Sequence, residues 1–331
     1  MAILKPDQDR QKAREFVAKL KRNPGHTIDS HGFLGHSETS HVDVSDTELL
    51  DNILKKGTKR GDTVFTDKKM QRRFLEDALE AKSYEIAKFA RAAKPGDMKI
   101  WYWQVFGENG EMETLGHGFI GTRDPSGDGI DISKPIRAIT SNTGAFVIKK
   151  NPRAEDSWQL VTAFPVSRIS PDIPETEREE AEIKTIEDFD FAPALHATDS
   201  YKSATPIQRT LLDYNNIARK TRPDLLPVEY VPRKNGAPEQ IIIRHPALRY
   251  KDQKYSITGD GHAAATESGP FPVPEKLKNT VDYLMARVNE QITQSDMERR
   301  GRMRTRMSAE INRAAAGIER TGQDANEIEY T

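Results

Sequence analysis

Apolar positions recur with one period up to Lys94-Pro95-Gly96 and with another beyond it. In the first stretch the spacing is helical. Residues 6–22 (PDQDRQKAREFVAKLKR) place Phe16, Val17 and Leu20 on one side, a short amphipathic helix closed by Asn23-Pro24. A Gly/His-rich loop follows from Gly25 to His41. Ser45 with Glu48 three residues later is a capping box, and Leu49, Leu50, Ile53 and Leu54 form the buried stripe of a helix ended by Gly57. Thr66-Asp67 caps a further helix carrying Met70, Phe74, Leu75, Ala78 and Leu79 and running toward Phe89.

Beyond that point the segments are short, β-branched or aromatic, and punctuated by Gly, Asn, Asp or Pro. Residues 99–106 (KIWYWQVF), 115–122, 135–140, 144–149 and 157–166 (SWQLVTAFPV) are predicted strands. Helices followed by an antiparallel sheet make an α+β fold. Residues 169–190 turn acidic and proline-punctuated, the composition of a linker. After it come a helix (TPIQRTLLDYNNIARK), strands PVEYV and QIIIRH around the Lys234-Asn235-Gly236 turn, a loop at GDGHAAATESGP, and a long helix from Pro274. The expected division is a lead-in helix 1–24, a first domain 25–168, the linker, and a mostly helical accessory region 191–331 ending in a mobile tail.

Composition narrows the possibilities. At 331 residues, two domains are expected. Hydrophobic residues are 36%, charged residues 31%, and mean hydropathy is −0.73, with no apolar run long enough for a bilayer span or signal peptide. The expectation is a protein that leaves its cell, if it does, without a cleaved signal and works in cytoplasm. No cysteine is present, which excludes disulfides, thiolate zinc sites and cysteine nucleophiles. Net charge is −1, so any nucleic-acid site is local.

Four of eight histidines, His26, His31, His36 and His41, fall at steps of five in that glycine-rich loop. For any one of them, an imidazole hydrogen-bonded to loop backbone is the bland reading. His41 differs because it stands just before a capped helix, where a side chain is held rigidly. RNA cleavage needs such a residue: a neutral imidazole takes the 2′-hydroxyl proton, a second donor protonates the departing 5′-oxygen, and hydroxyls or cations stabilise the phosphorane.

The strings GHSETSHVDVSDTELLDNIL, DTVFTDKKMQRRFLEDAL, KIWYWQVF, GHGFIG and SWQLVTAFP resemble, in order and spacing, the bacterial RNase A-like toxin domain of contact-dependent growth-inhibition and other polymorphic toxins, over residues 25–168. The resemblance implies a barnase/colicin/RelE-like ribonuclease fold, no cofactor, an RNA substrate (tRNA among the candidates) and a cognate immunity protein. His41 matches the base in the family's HVGKT. The assisting arginine is matched by Asn52, and the TAYP threonine and tyrosine by Thr162 and Phe164, so a cation and a hydroxyl are missing. Lys55, Lys56 and Arg60 lie close enough in sequence to replace the cation at the substrate. GHTIDSHG offers a second register with His31 as base, and His36 is a candidate second acid.

Other readings stand beside this one. The four histidines with Asp29 or Asp43 are a conceivable zinc set, although their spacing fits no common motif. His117 reads as structural, and Trp101 and Trp103 as core, with base stacking the alternative for Trp101, Tyr102 and Trp103. Arg299, Arg300, Arg302, Arg304 and Arg306 suit RNA, an acidic partner or an address read by a secretion machine. A non-catalytic RNA- or protein-binding effector with a degenerate ribonuclease fold is the alternative function. Nine carboxylates against two cations in residues 172–190 raise one more expectation, that this segment folds back over the RNA site.

Overall fold

The computed structural model describes residues 41–55, 60–126, 129–150, 158–168, 182–245, 254–265 and 273–327, with isolated helical positions 11, 14, 15 and 18. His26, His31, His36, Lys56, most of the lead-in helix and residues 169–181 lie outside the described residues. The chain divides into two compact units, Met1–Ser203 and Ala204–Thr331. Both are α+β.

In the first unit, α1 (Asp46–Leu54) starts at the expected cap: the Ser45 hydroxyl accepts from Glu48 N while the Glu48 carboxylate accepts from Ser45 N. Leu49, Leu50 and Ile53 are fully buried. The helix expected over Asp67 to Phe89 is two, α2 (Lys68–Ala81) and α3 (Ser83–Ala92), broken at Lys82. Between α1 and α2 runs a strand the pattern did not signal, β1 (Gly61–Phe65). Its Asp62 and Thr63 are polar yet 3% exposed, so no polar–apolar alternation marked it.

The remaining strands are β2 (Met98–Gln104), β3 (Gly116–Ile120), β4 (Arg137–Ser141), β5 (Thr143–Lys150), β6 (Trp158–Pro165) and β7 (Ile183–Thr185). They form two antiparallel sheets rather than one, ordered β1-β3-β4-β7 and β2-β5-β6. The sheets meet where β1 lies beside β6, tied by the Thr63 hydroxyl donating to the Pro165 carbonyl at 2.6 Å.

One face of the three-stranded sheet packs on α2 and α3. Trp101 is 3% exposed and stacks on Phe146 at 5.6 Å, Phe74 lies against Phe65 and Phe146, and Trp103 packs at the margin under Lys82. Gly144 makes this possible, because the Phe74 ring occupies the space of its missing Cβ. Both tryptophans therefore serve the core, as expected.

The expected linker is structured at its far end. β7 pairs with β4, Phe189 and Phe191 close on Phe119, and α4 (Phe191–Ala197) and α5 (Asp199–Ser203) pack on α1. Ser200 N donates to the buried Asp51 carboxylate at 2.7 Å. Residues 182–203 thus belong to the first unit, and the boundary falls after Ser203 rather than within 169–190. The aromatic pair in EDFDF carries that difference: Phe119 needs a cover that α1 alone does not supply.

The second unit has α6 (Pro206–Asp213), entered through a Thr205–Gln208 capping box, then a π-turn at Tyr214–Ala218, α7 (Arg219–Thr221) and a four-stranded meander. Its strands are β8 (Val228–Val231), β9 (Gln240–Ile243), β10 (Tyr255–Thr258) and β11 (Ala263–Ala265). β11 lies inside the expected loop. The long helix α8 (Glu275–Glu327) packs on α6 through its first turns, where Leu277, Leu284 and Val288 are buried. Residues 296–313, including all five arginines of the Arg-rich run, are exposed. Among the described residues no helix is long and apolar enough to cross a membrane.

Candidate functional site

His41 is helical rather than part of the expected loop, and a bend at Val42 and Asp43 separates it from α1. Asp43 takes a left-handed φ of 58°, bending the chain between His41 and the Ser45 cap. Aspartate tolerates this conformation better than most residues. The turn presses His41 against the open edge of β1, leaving it 5% exposed. Its Nδ1 lies 2.9 Å from the Thr63 carbonyl oxygen. A carbonyl can only accept, so Nδ1 carries the proton and Nε2 holds the lone pair of the neutral ring.

The His41 ring packs on Phe164 with centroids 5.4 Å apart. Phe164 and Thr162 are two apart on β6 and share the sheet face opposite the core. The pairings Thr162–Val147–Ile100 and Phe164–Ala145–Tyr102 show which neighbours line that face. Thr162 Oγ1 is shielded from solvent and, among the described residues, has no hydrogen-bond partner. Buried hydroxyls are nearly always satisfied, so this one is a donor held in reserve or a local cost. Tyr102 places a phenol in the same row as Phe164, a residue that sequence reasoning considered only as a stacking platform.

The cation candidates separate. Asn52 donates Nδ2 to the buried Asp62 carboxylate at 2.8 Å, so the position matching an arginine is committed to holding α1 on β1. Lys55 bridges Asp51 at 2.9 Å, and that hydrogen bond raises its pKa. Arg60, at the start of β1, is half-buried, and burial first, then the charges of Arg123 and Arg168, lower its pKa. Neither Arg123 nor Arg168 was singled out from sequence; they are distant along the chain and only the fold brings them near. His117, half-exposed, places Nε2 3.0 Å from the Asp46 carboxylate in the first turn of α1. Among the described residues no group of His, Asp and Glu is arranged to hold a metal.

The sequence profile of the family described as the bacterial CdiA-CT RNase A domain matches residues 35–165. A solved structure, that of a CdiA-CT/CdiI complex from Y. kristensenii, is similar at 15% identity over 38% of this chain and 94% of that one, with a TM-score of 0.27. No curated protein matches the chain.

Proposed function

Residues 35–165 constitute a bacterial CdiA-CT RNase A domain, and from that premise we propose that the first unit cuts RNA by internal attack of a ribose 2′-hydroxyl, with His41 as base. Nε2 takes the 2′-hydroxyl proton, the oxygen bonds to phosphorus, the bond from phosphorus to the 5′-oxygen breaks, and that oxygen leaves with a proton from a second donor. The product is a 2′,3′-cyclic phosphate. The observation that carries the reading is the His41–Thr63 hydrogen bond, which fixes the tautomer a base requires. The unsatisfied Thr162 hydroxyl supports a donor to the phosphorane. His36 remains the candidate acid, His31 the alternative base of the second register, and Lys56 a candidate for charge neutralisation. The same reading takes in an immunity protein that blocks the site and delivery into a target cell, with the exposed Arg299–Arg306 run a candidate address for that route.

A second reading has support of its own. His41 is buried, Asn52 is bound to Asp62, and Phe164 lacks a hydroxyl, as in a domain that binds without cutting. Incubating the full chain with total RNA and tRNA, in EDTA, separates the two. Cleavage leaving cyclic phosphate ends, lost in His41→Gln and retained in His117→Gln, is the expected result. Intact RNA with the wild-type chain would sink the proposal and leave binding, and cleavage abolished by EDTA would replace it with metal chemistry.

A further inference from the structure

Three arginines converge at one end of the first unit from three separate strands. Arg60 immediately precedes β1, and its carbonyl accepts from Gly121 N at 2.8 Å, just after β3. Arg123 follows two residues on. Gly61 lies so close to the end of β6 that a Cβ there would sit 3.0 Å from Ser167 Cβ and 3.1 Å from its Oγ, and Arg168 is the next residue. Arg60 is half-buried while Arg123 and Arg168 are exposed.

Among the described residues nothing neutralises them: none of the three makes an ion pair or a side-chain hydrogen bond there. Among the described residues, the carboxylates nearest Arg60 and Arg123 in sequence hold other partners. Asp62 accepts from Asn52 and Thr63 N, Asp124 from Ser126 N, and Asp131 from Ser133 N and its hydroxyl. Like charges gathered without a counterion oppose folding, and such an arrangement persists where an anion completes it. The depressed Arg60 pKa agrees that the charges sense one another. Guanidinium forks match phosphate oxygens bidentately.

Its position relative to His41 gives the cluster a purpose. Gly61 is two residues from Thr63, whose carbonyl holds His41, and Ser167 is three beyond Phe164. At about 3.3 Å per residue the cluster lies roughly 10 Å along the β1 edge from the imidazole. We propose that Arg60, Arg123 and Arg168 form a subsite gripping a backbone phosphate of the RNA strand next to the one cut. The proposal rests on the ribonuclease reading for its choice of ligand. Interactions of this kind position a strand without reading its sequence.

The test is binding rather than cleavage, so that it fails separately from the catalytic reading. A fluorescent, mixed-sequence, single-stranded oligonucleotide with 2′-deoxyribose throughout cannot be cut by 2′-hydroxyl attack and keeps every phosphate. Its affinity for the full chain is measured across a salt series, for wild type, for R123Q/R168Q and for the triple variant R60Q/R123Q/R168Q. The double variant spares half-buried Arg60 and guards against misfolding. Expected is a roughly 10- to 100-fold loss of affinity in the triple variant, with the slope of log K against log salt shallower by about 0.7 for each phosphate no longer gripped. The double variant falls between. Unchanged affinity and slope in both variants overturn the subsite. So does a cluster that matters for binding poly-L-glutamate and not the oligonucleotide, which would assign it to an acidic protein.

Discussion

Replacing Phe191 with alanine should loosen the first unit although the residue lies outside the family match. The Phe191 side chain is 3% exposed and meets Phe119 at 6.0 Å and Phe189 at 4.8 Å between centroids. Burying a phenylalanine contributes about 1.5–3 kcal/mol, and each aromatic pair adds about 0.5–1.5 kcal/mol. The sum centres near ~4 kcal/mol, within the range of about 3–5 kcal/mol for buried Phe→Ala. At about 1.4 kcal/mol per tenfold, opening of the unit becomes roughly a thousandfold more frequent. Hydrogen exchange with mass spectrometry on the full chain reads this directly, in the slowest amides of α1 and β3. The second unit supplies an internal control, because its amides should keep their rates. If α1 and β3 exchange less than about threefold faster, residues 182–203 do not stabilise the first unit and the division after Ser203 is mistaken.

Other expectations follow from the site and its supports. Asp43→Val, a β-branched residue forced to positive φ, should cost about 1–2 kcal/mol in unfolding experiments and slow RNA cleavage; Asp43→Gly should leave cleavage intact, and equal behaviour of the two would discount the turn. Phe164→Tyr restores the hydroxyl implied by the resemblance and should raise kcat by roughly tenfold, the worth of one hydrogen bond to a charged group, with little change in Tm; unchanged kcat would mean that the ring position does not face the phosphorane. Burial pushes the Asp51 carboxyl up, but hydrogen bonds from Ser200 and Lys55 outweigh it and leave its pKa below the ordinary value. A depressed folded pKa means stability that is complete above the unfolded value near ~3.9 and lost as pH falls through the folded one. Acid titration of melting should therefore show a decline below about pH 4 that is smaller in Asp51→Asn, and identical acid limbs would contradict the coupling.

Local rules made the helices and aromatic strands legible. The Ser45–Glu48 box, the Phe74–Leu75–Ala78–Leu79 stripe and the Trp101/Trp103 face declare themselves within a few residues. β1 and β7 did not, for different reasons. β1 buries Asp62 and Thr63 through partners 10 and 102 residues away, and β7 is a three-residue edge placed by its pairing with β4 about 45 residues earlier. The same limit governs the site. His41 could be singled out because its position, shortly before a capped helix, is local. Arg123 and Arg168 were not, because only tertiary pairing brings 60, 121 and 167 together. The resemblance supplied Thr162 and Phe164; local pattern alone offered no reason to separate them from any other strand residue.

The bond between His41 and the edge of β1 carries a consequence for timing. On the ribonuclease reading proposed above, the His41 imidazole takes its proton arrangement from the Thr63 backbone, 22 residues away, so the proposed base is not prepared by its neighbours in sequence alone. A polypeptide threaded through a narrow channel would travel without a working centre. Its chemistry would begin only once helix and strand had closed on one another, making refolding at the destination the step that arms it.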